Sequence, residues 1–220
     1  MAVIFWLILS NNSNLLKQGA NWFQFLTISA TISFISIQLF ALRFKIEANI
    51  NYSKALNMKS SISLIGMAGA GKSSVGERLA HVLGFDYVDS DHEIEKNNNQ
   101  SLQRILDESG YLKLRQMEED AILSIAFNQT VLSTGGSAVY SNAAMKHLNE
   151  NSLVVFLDVP FELISERVPD FLDRGFAKHP DQSIKEAFDE RATLYNQHSQ
   201  VSIQNDGDLD SCVASIVNLT

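Results

Sequence analysis

From Met58 onward, short apolar runs alternate with longer stretches of helical spacing, and glycine or acidic turns separate them. Ile62–Ile65, Phe85–Val88, Val131–Ser133, Leu153–Leu157 and Val201–Ile203 read as strands. Lys72–Leu83 places Val75, Leu79 and Val82 on one helical face, and further helices are predicted at Leu102–Glu108 and from Leu112 to Phe127. Ser183-Ile-Lys-Glu186 is a capping box that opens a helix running to Gln197, and Leu209–Leu219 is a last helix. Strands alternating with helices make an α/β protein whose parallel sheet is covered on both faces. In such sheets ligands bind beyond the carboxyl ends of the strands.

Upstream of Met58 the pattern changes. No charged residue lies between Trp22 and Leu42, and a bilayer-crossing helix needs about twenty such residues. Arg43, Lys45 and Lys54 follow this span and only Lys17 precedes it, so an inserted helix would leave the C-terminal part on the cytoplasmic side. Gln24, Gln38 and scattered Ser and Thr dilute the span, and residues 27–34 alternate more like a strand. A cleavable signal peptide fits poorly, because no basic region comes first. A third reading makes Met58 the initiator. It is the expectation adopted here, and it divides the chain into a hydrophobic extension, 1–57, and a domain, 58–220.

Composition narrows the functional classes. The chain has 220 residues and a formal net charge of −8, with no basic run of the kind that tracks a phosphate backbone. Nucleic acid is therefore not expected as a partner. The single cysteine, Cys212, excludes an internal disulfide and suits a reducing, cytoplasmic setting. His81, His92, His147, His179 and His198 show no metal-ligand spacing. The expected protein is a monomer that handles a small molecule and meets a membrane only if residues 22–42 are present and inserted.

The strongest chemical signal is Gly66-Met-Ala-Gly-Ala-Gly71-Lys72-Ser73, which matches the P-loop pattern G-x-x-x-x-G-K-[ST]. A strand precedes it and a helix follows. Backbone N–H groups from Gly66, Ala68, Gly69, Ala70, Gly71 and the Lys72–Ser74 turn would cradle the phosphates of ATP. Lys72 would reach the β- and γ-phosphates, and Ser73 would ligate Mg²⁺. Asp89-Ser90-Asp91 closes the second strand. These residues suit a helix cap, but two acids one residue apart could also serve the metal and the acceptor hydroxyl. Arg115 with Glu118 one turn on would, alone, be a surface ion pair. Thr134-Gly135-Gly136-Ser137 would, alone, be a turn, and Glu190-Arg191 a solvated face.

Taken in order, these motifs resemble the shikimate kinase family over residues 61–203. The P-loop, D-S-D after the second strand, arginine followed three on by glutamate, T-G-G after the third strand and E-R-x-x-L-Y late in the chain all recur at plausible spacing. The resemblance implies a P-loop NTPase-type three-layer sandwich, nucleoside-monophosphate-kinase-like, around a five-stranded parallel sheet. It implies that Asp89 helps hold Mg²⁺, that Asp91 binds and prepares the acceptor hydroxyl, and that Arg115 and Arg191 pair with a substrate carboxylate. Gly135 and Gly136 would line the acceptor site, and Arg174 would contact the phosphates from a lid. With Lys72 and Asp91, Arg174 completes the implied catalytic set. The sequence departs from the family pattern at Ser137 (third glycine), Tyr111 (an acid), Leu114 (an aromatic), Thr193 (a proline) and the lid, Asp173-Arg174-Gly175-Phe176. The expected activity is ATP-dependent phosphorylation of a hydroxyl on a small anion, shikimate first. Another acceptor such as a sugar acid, and a nucleotide-binding module without turnover, are the rival expectations.

Overall fold

A computed structural model describes residues 60–168 and 175–220, together with Ser36 and Gln38. The chain divides between Asn57 and Met58, and the described residues from Ser60 onward belong to the unit Met58–Thr220. The span 22–42 lies outside the described residues apart from Ser36 and Gln38, and so does Arg174. Among the described residues, no helix is long and apolar enough to cross a membrane.

The five strands are β1 (Ile62–Ile65), β2 (Asp86–Asp89), β3 (Thr130–Ser133), β4 (Leu153–Asp158) and β5 (Val201–Gln204). They form one sheet in the order β2-β3-β1-β4-β5, parallel at every pairing. In register, Ile62 stands between Val131 of β3 and Leu153 of β4. Every residue of β1 and β3 is buried, as expected of inner strands covered on both faces.

The helices are α1 (Lys72–Leu83), α2 (Ser90–Asn98), α3 (Leu102–Ser124), α4 (Asn142–Asn151), α5 (Phe161–Arg167), α6 (Ile184–His198) and α7 (Leu209–Val217). A 3₁₀ turn, Ala138–Tyr140, follows β3. The two helices expected at 102–108 and 112–127 form one element, α3, whose Gly110 has non-helical φ 79° and ψ 166°. The break falls where the two apolar patterns meet. The capping box of α6 is present, with Ser183 and Glu186 bonding reciprocally to each other's backbone N–H. Ser141 caps α4 by accepting from the Ala144 N–H; neither α4 nor α5 was expected from the apolar pattern.

The main core runs along both faces of the sheet and includes Leu64, Val75, Leu79, Val131, Leu148, Val155 and Ile216. Cys212, on α7, is buried in it, and α7 packs on α1. A second, smaller cluster joins Ile94 of α2 to Ile105 and Leu114 of α3 and to Ala177. It gives the α2–α3 region a core of its own beside the carboxyl edge of the sheet.

Gly76 shows how tightly α1 sits on that sheet. A Cβ there would lie 2.6 Å from Ser133 Oγ and 2.7 Å from Tyr87 Cε2. Neither atom is free to yield, because Ser133 Oγ donates to the Lys72 carbonyl at 2.9 Å and Tyr87 Oη to Asp89 Oδ2 at 3.1 Å. An alanine in a helix interior gains about 1 kcal/mol over glycine, but overpacking costs about 1–3 kcal/mol. Gly76→Ala should therefore lower the denaturation midpoint without changing the slope; a raised midpoint in urea unfolding would contradict this packing.

Candidate active site

β1 ends at Ile65, and the chain turns through Gly66, Gly69 and Gly71, all at positive φ (146°, 82° and 86°). Gly71 occupies the N-cap of α1 with no side chain to cap it, so the first N–H groups of the helix remain open to an anion. Asn205, just beyond β5, braces the loop by donating Nδ2–H to the Ala70 carbonyl at 2.7 Å. Lys72 is only 9% exposed, and its Nζ donates back to the carbonyls of Gly66 (2.8 Å) and Met67 (2.9 Å). Burial pushes its pKa below the usual lysine value, opposed by the carboxylates of Asp91, Asp89 and Glu118.

At the end of β2, Asp89 has two duties at once. Its Oδ1 caps α2, accepting from the N–H of Asp91 (3.0 Å) and of His92 (3.4 Å). Its Oδ2 accepts from Ser73 Oγ at 2.9 Å and from Tyr87 Oη. The capping reading of D-S-D is thus correct, and it leaves the second oxygen facing the P-loop serine. Burial, then Asp89, raises the Tyr87 phenol to about 12, so it stays a donor. Asp91, one residue into the turn, has its carboxyl pushed up to about 6 by burial and then by Asp89, with Lys72 opposing.

Beyond β3, Thr134–Ser137 wraps against these groups. The Gly135 N–H donates to Ser90 Oγ at 2.9 Å. A Cβ on Gly135 would collide with the carboxylates of Glu118 and Asp91, and one on Gly136 would sit 3.3 Å from Arg191 Nη1 and 3.4 Å from the Ala68 nitrogen. The turn is therefore a narrow wall shared by both halves of the site. Ser137, the departure from a third glycine, donates both its hydroxyl and its N–H to Glu118.

Glu118 does not form the surface ion pair with Arg115 that their spacing alone would allow. It is 4% exposed and takes Ser137 as its hydrogen-bond partner. Burial and nearby Asp91 raise its carboxyl to about 8, against the pull of Arg191, Ser137 and Arg115. Nor is Arg191 part of a solvated face: at 1% exposure it donates Nη2–H to the Ala177 carbonyl at 2.8 Å. Arg115 donates to the same carbonyl at 3.1 Å. A cavity lined by Asp91, Glu118, Gly136, Ser137, Phe176 and Arg191 also has Ala68 of the P-loop in its wall.

The structure thus brings together Asp89, Asp91, Arg115, Gly135, Gly136 and Arg191 around the loop 66–74. Glu118, Ser137, Ala177 and Asn205 were not expected as site residues. Glu118 carried a signal, its place one turn from Arg115, but its burial could not be read from spacing. Ser73 with Asp89 offers two hard oxygen donors suited to Mg²⁺, and no larger group of His, Cys, Asp and Glu positioned to hold a metal occurs among the described residues.

A glycine loop ahead of an uncapped helix, a lysine folded into it and a polar cavity of buried acids and an arginine sharing its wall define a P-loop phosphotransferase of the small-molecule kinase type. A family model described as shikimate kinase matches residues 68–219. A shikimate kinase of Persephonella marina is 36% identical over 148 residues, which span 67% of this chain and 90% of that protein. A solved shikimate kinase from Acinetobacter baumannii, in complex with shikimate, matches with a TM-score of 0.68 at 30% identity, over 76% of this chain and 96% of that one. The Aquifex aeolicus enzyme structure matches at 0.63 and 31% identity, over 72% and 94%. The chain belongs to the shikimate kinase family.

Because native Glu118 keeps its proton up to about pH 8 while an ordinary glutamate loses it near 4.5, the native state binds more protons in that window. Stability should then fall as pH rises from about 4.5 to about 8. Glu118→Gln, which cannot ionise, should lose less thermal stability between pH 5 and pH 8 than the unaltered protein. Parallel melting curves would show that the native carboxyl is not raised.

Proposed function

We propose that this chain transfers the terminal phosphate of ATP to a hydroxyl of shikimate, giving shikimate 3-phosphate. The observation that carries this reading is the shared wall: Ala68 and Gly136 separate the phosphate loop from a cavity holding one carboxylate, Asp91, and the buried arginine Arg191. An acceptor with a hydroxyl at one end and a carboxylate at the other fits that polarity. Family membership and the shikimate-bound relative support the choice of acceptor.

ATP use follows from the family. Backbone N–H groups of residues 66–74 hold the phosphates, and Lys72 leaves the Gly66 and Met67 carbonyls to neutralise charge on the β- and γ-oxygens. Ser73 and Asp89, already 2.9 Å apart, would hold Mg²⁺, which when bound offsets phosphate charge. Asp91, ionised at neutral pH but a better base than an exposed aspartate because of its raised pKa, accepts the hydroxyl proton and orients the attacking oxygen. Arg115 and Arg191 hold the carboxylate end, and Gly135 and Gly136 let the ring approach the backbone. Arg174 lies outside the described residues; its phosphate contact is proposed from the family resemblance. These residues all lie within 58–220.

The direct test is ATP consumption with shikimate and a panel of sugar acids as acceptors; turnover of a sugar acid in preference to shikimate would replace the acceptor. Lys72→Met should reduce kcat by about 10²–10³-fold, the usual effect of removing a preorganised charge stabiliser, with an unchanged fold by circular dichroism. Arg115→Ala and Arg191→Ala should each raise the shikimate KM far more than the ATP KM, because each leaves a carboxylate partly unpaired at a cost of about 2–5 kcal/mol. Equal losses for both substrates would refute the clamp.

A further inference from the structure

Arg115, from α3, and Arg191, from α6, meet at a single acceptor, the Ala177 carbonyl. Two guanidiniums that share one oxygen repel each other; Arg191 is fully out of water and Arg115 partly so. Burial is the main cause of a lowered Arg115 pKa, and Arg191 lowers it further. Among the described residues, the Nε of Arg115 and the Nε of Arg191 are buried with no hydrogen-bond partner. One shared carbonyl leaves the rest of each guanidinium to be held by something other than hydrogen bonding.

Aromatic rings meet that need. The Tyr140 ring has the Arg115 guanidinium carbon 3.6 Å from its centroid and that of Arg191 at 5.5 Å. Tyr111 stands 5.1 Å from Arg115, and Phe176 stands 4.3 Å from Arg191. Each cation therefore touches two rings, and Tyr140 is common to both. All four distances lie within the roughly 6 Å over which a ring face attracts a cation. Tyr140 is itself tied to the glycine turn, its N–H donating to the Ser137 carbonyl at 3.1 Å. Its hydroxyl is buried without a hydrogen-bond partner among the described residues, so the ring carries the contact.

Building on the acceptor reading above, we propose that Tyr140 is a positioning residue for the acceptor's carboxylate. Its ring, shared by Arg115 and Arg191 and anchored to the 135–137 turn, holds the two guanidiniums side by side without neutralising either. Their full charges remain for a planar anion. An acidic side chain in place of Tyr140 would offset that charge, whereas an aliphatic one would let the cations separate.

The test compares Tyr140→Leu, Tyr140→Phe and the unaltered full chain in steady-state kinetics with shikimate and ATP. Tyr140→Leu should raise the shikimate KM by about tenfold, the scale of a desolvated cation–π contact, while the ATP KM stays within about twofold. Tyr140→Phe keeps the ring and should restore the shikimate KM to within about twofold of the unaltered chain. An unchanged shikimate KM in Tyr140→Leu, or equal damage in the leucine and phenylalanine variants, overturns the shared-ring role. Should Tyr140→Leu fail to fold, Tyr140→Met, which also removes the ring face, should raise the shikimate KM by about tenfold, and no change there overturns the shared-ring role. An unaltered chain that does not phosphorylate shikimate overturns the acceptor reading and this inference together; an active one with an insensitive Tyr140 overturns the inference alone.

Discussion

Five strands running one way leave their carboxyl ends along a single edge, and nearly all the chemistry of this protein leaves from that edge. The P-loop follows β1, the Asp89–Asp91 turn follows β2, the glycine turn follows β3 and Asn205 follows β5. Register fixes the depth of each: the Thr134 N–H still reaches the Leu64 carbonyl at 3.1 Å before the chain departs. Side chains far apart in sequence therefore meet without any loop having to find them. Helices α3 and α6 then close the site from the side, bringing Arg115, Glu118 and Arg191.

A common device governs the cations there. The ion pairs among the described residues join exposed side chains, as in Arg78–Asp210 and Lys185–Asp189. Lys72, Arg115 and Arg191 instead rest on backbone carbonyls, of Gly66, Met67 and Ala177. A carbonyl positions a cation and satisfies part of its hydrogen bonding, but it does not cancel the charge. Asp91 and Glu118 lie close by, but burial raises both carboxyls while the neighbouring cations pull them down. An incoming anion thus meets aligned cations whose charge is unspent.

Most of the fold was legible because β1, α1 and β3 obey simple periodicities and because the glycine loop sits where strand gives way to helix. The strand edges moved by a residue or so, as at Asp86–Asp89, since Asp89 is both the last strand residue and a helix cap. α4 was missed because its buried positions Ala144, Met145 and Leu148 are too few to set a period against a polar background. The site was legible where a motif has a backbone reason, as at Gly66–Ser73, Asp89 and Gly135. It was illegible where burial decides. Arg191 and Glu118 look like solvated helix positions until α6 and α3 are packed, and Tyr140 had no local signal because its partners come from two other helices. Arg174 and, apart from Ser36 and Gln38, the segment 22–42 fall outside the described residues.

Cys212 gives the molecule a built-in reporter. It is the only thiol in the sequence, it is 4% exposed, and burial raises its pKa, so it resists alkylation while α7 stays in place. Reagent reaches it when the packing around α7, which includes α1, the helix that begins at Lys72, opens. Under conditions where reclosing outruns labelling, the alkylation rate measures the free energy of that opening. Nucleotide bound at the start of α1 would slow labelling in proportion to its occupancy of the closed form, so a stopwatch for ligand binding is present without adding a probe.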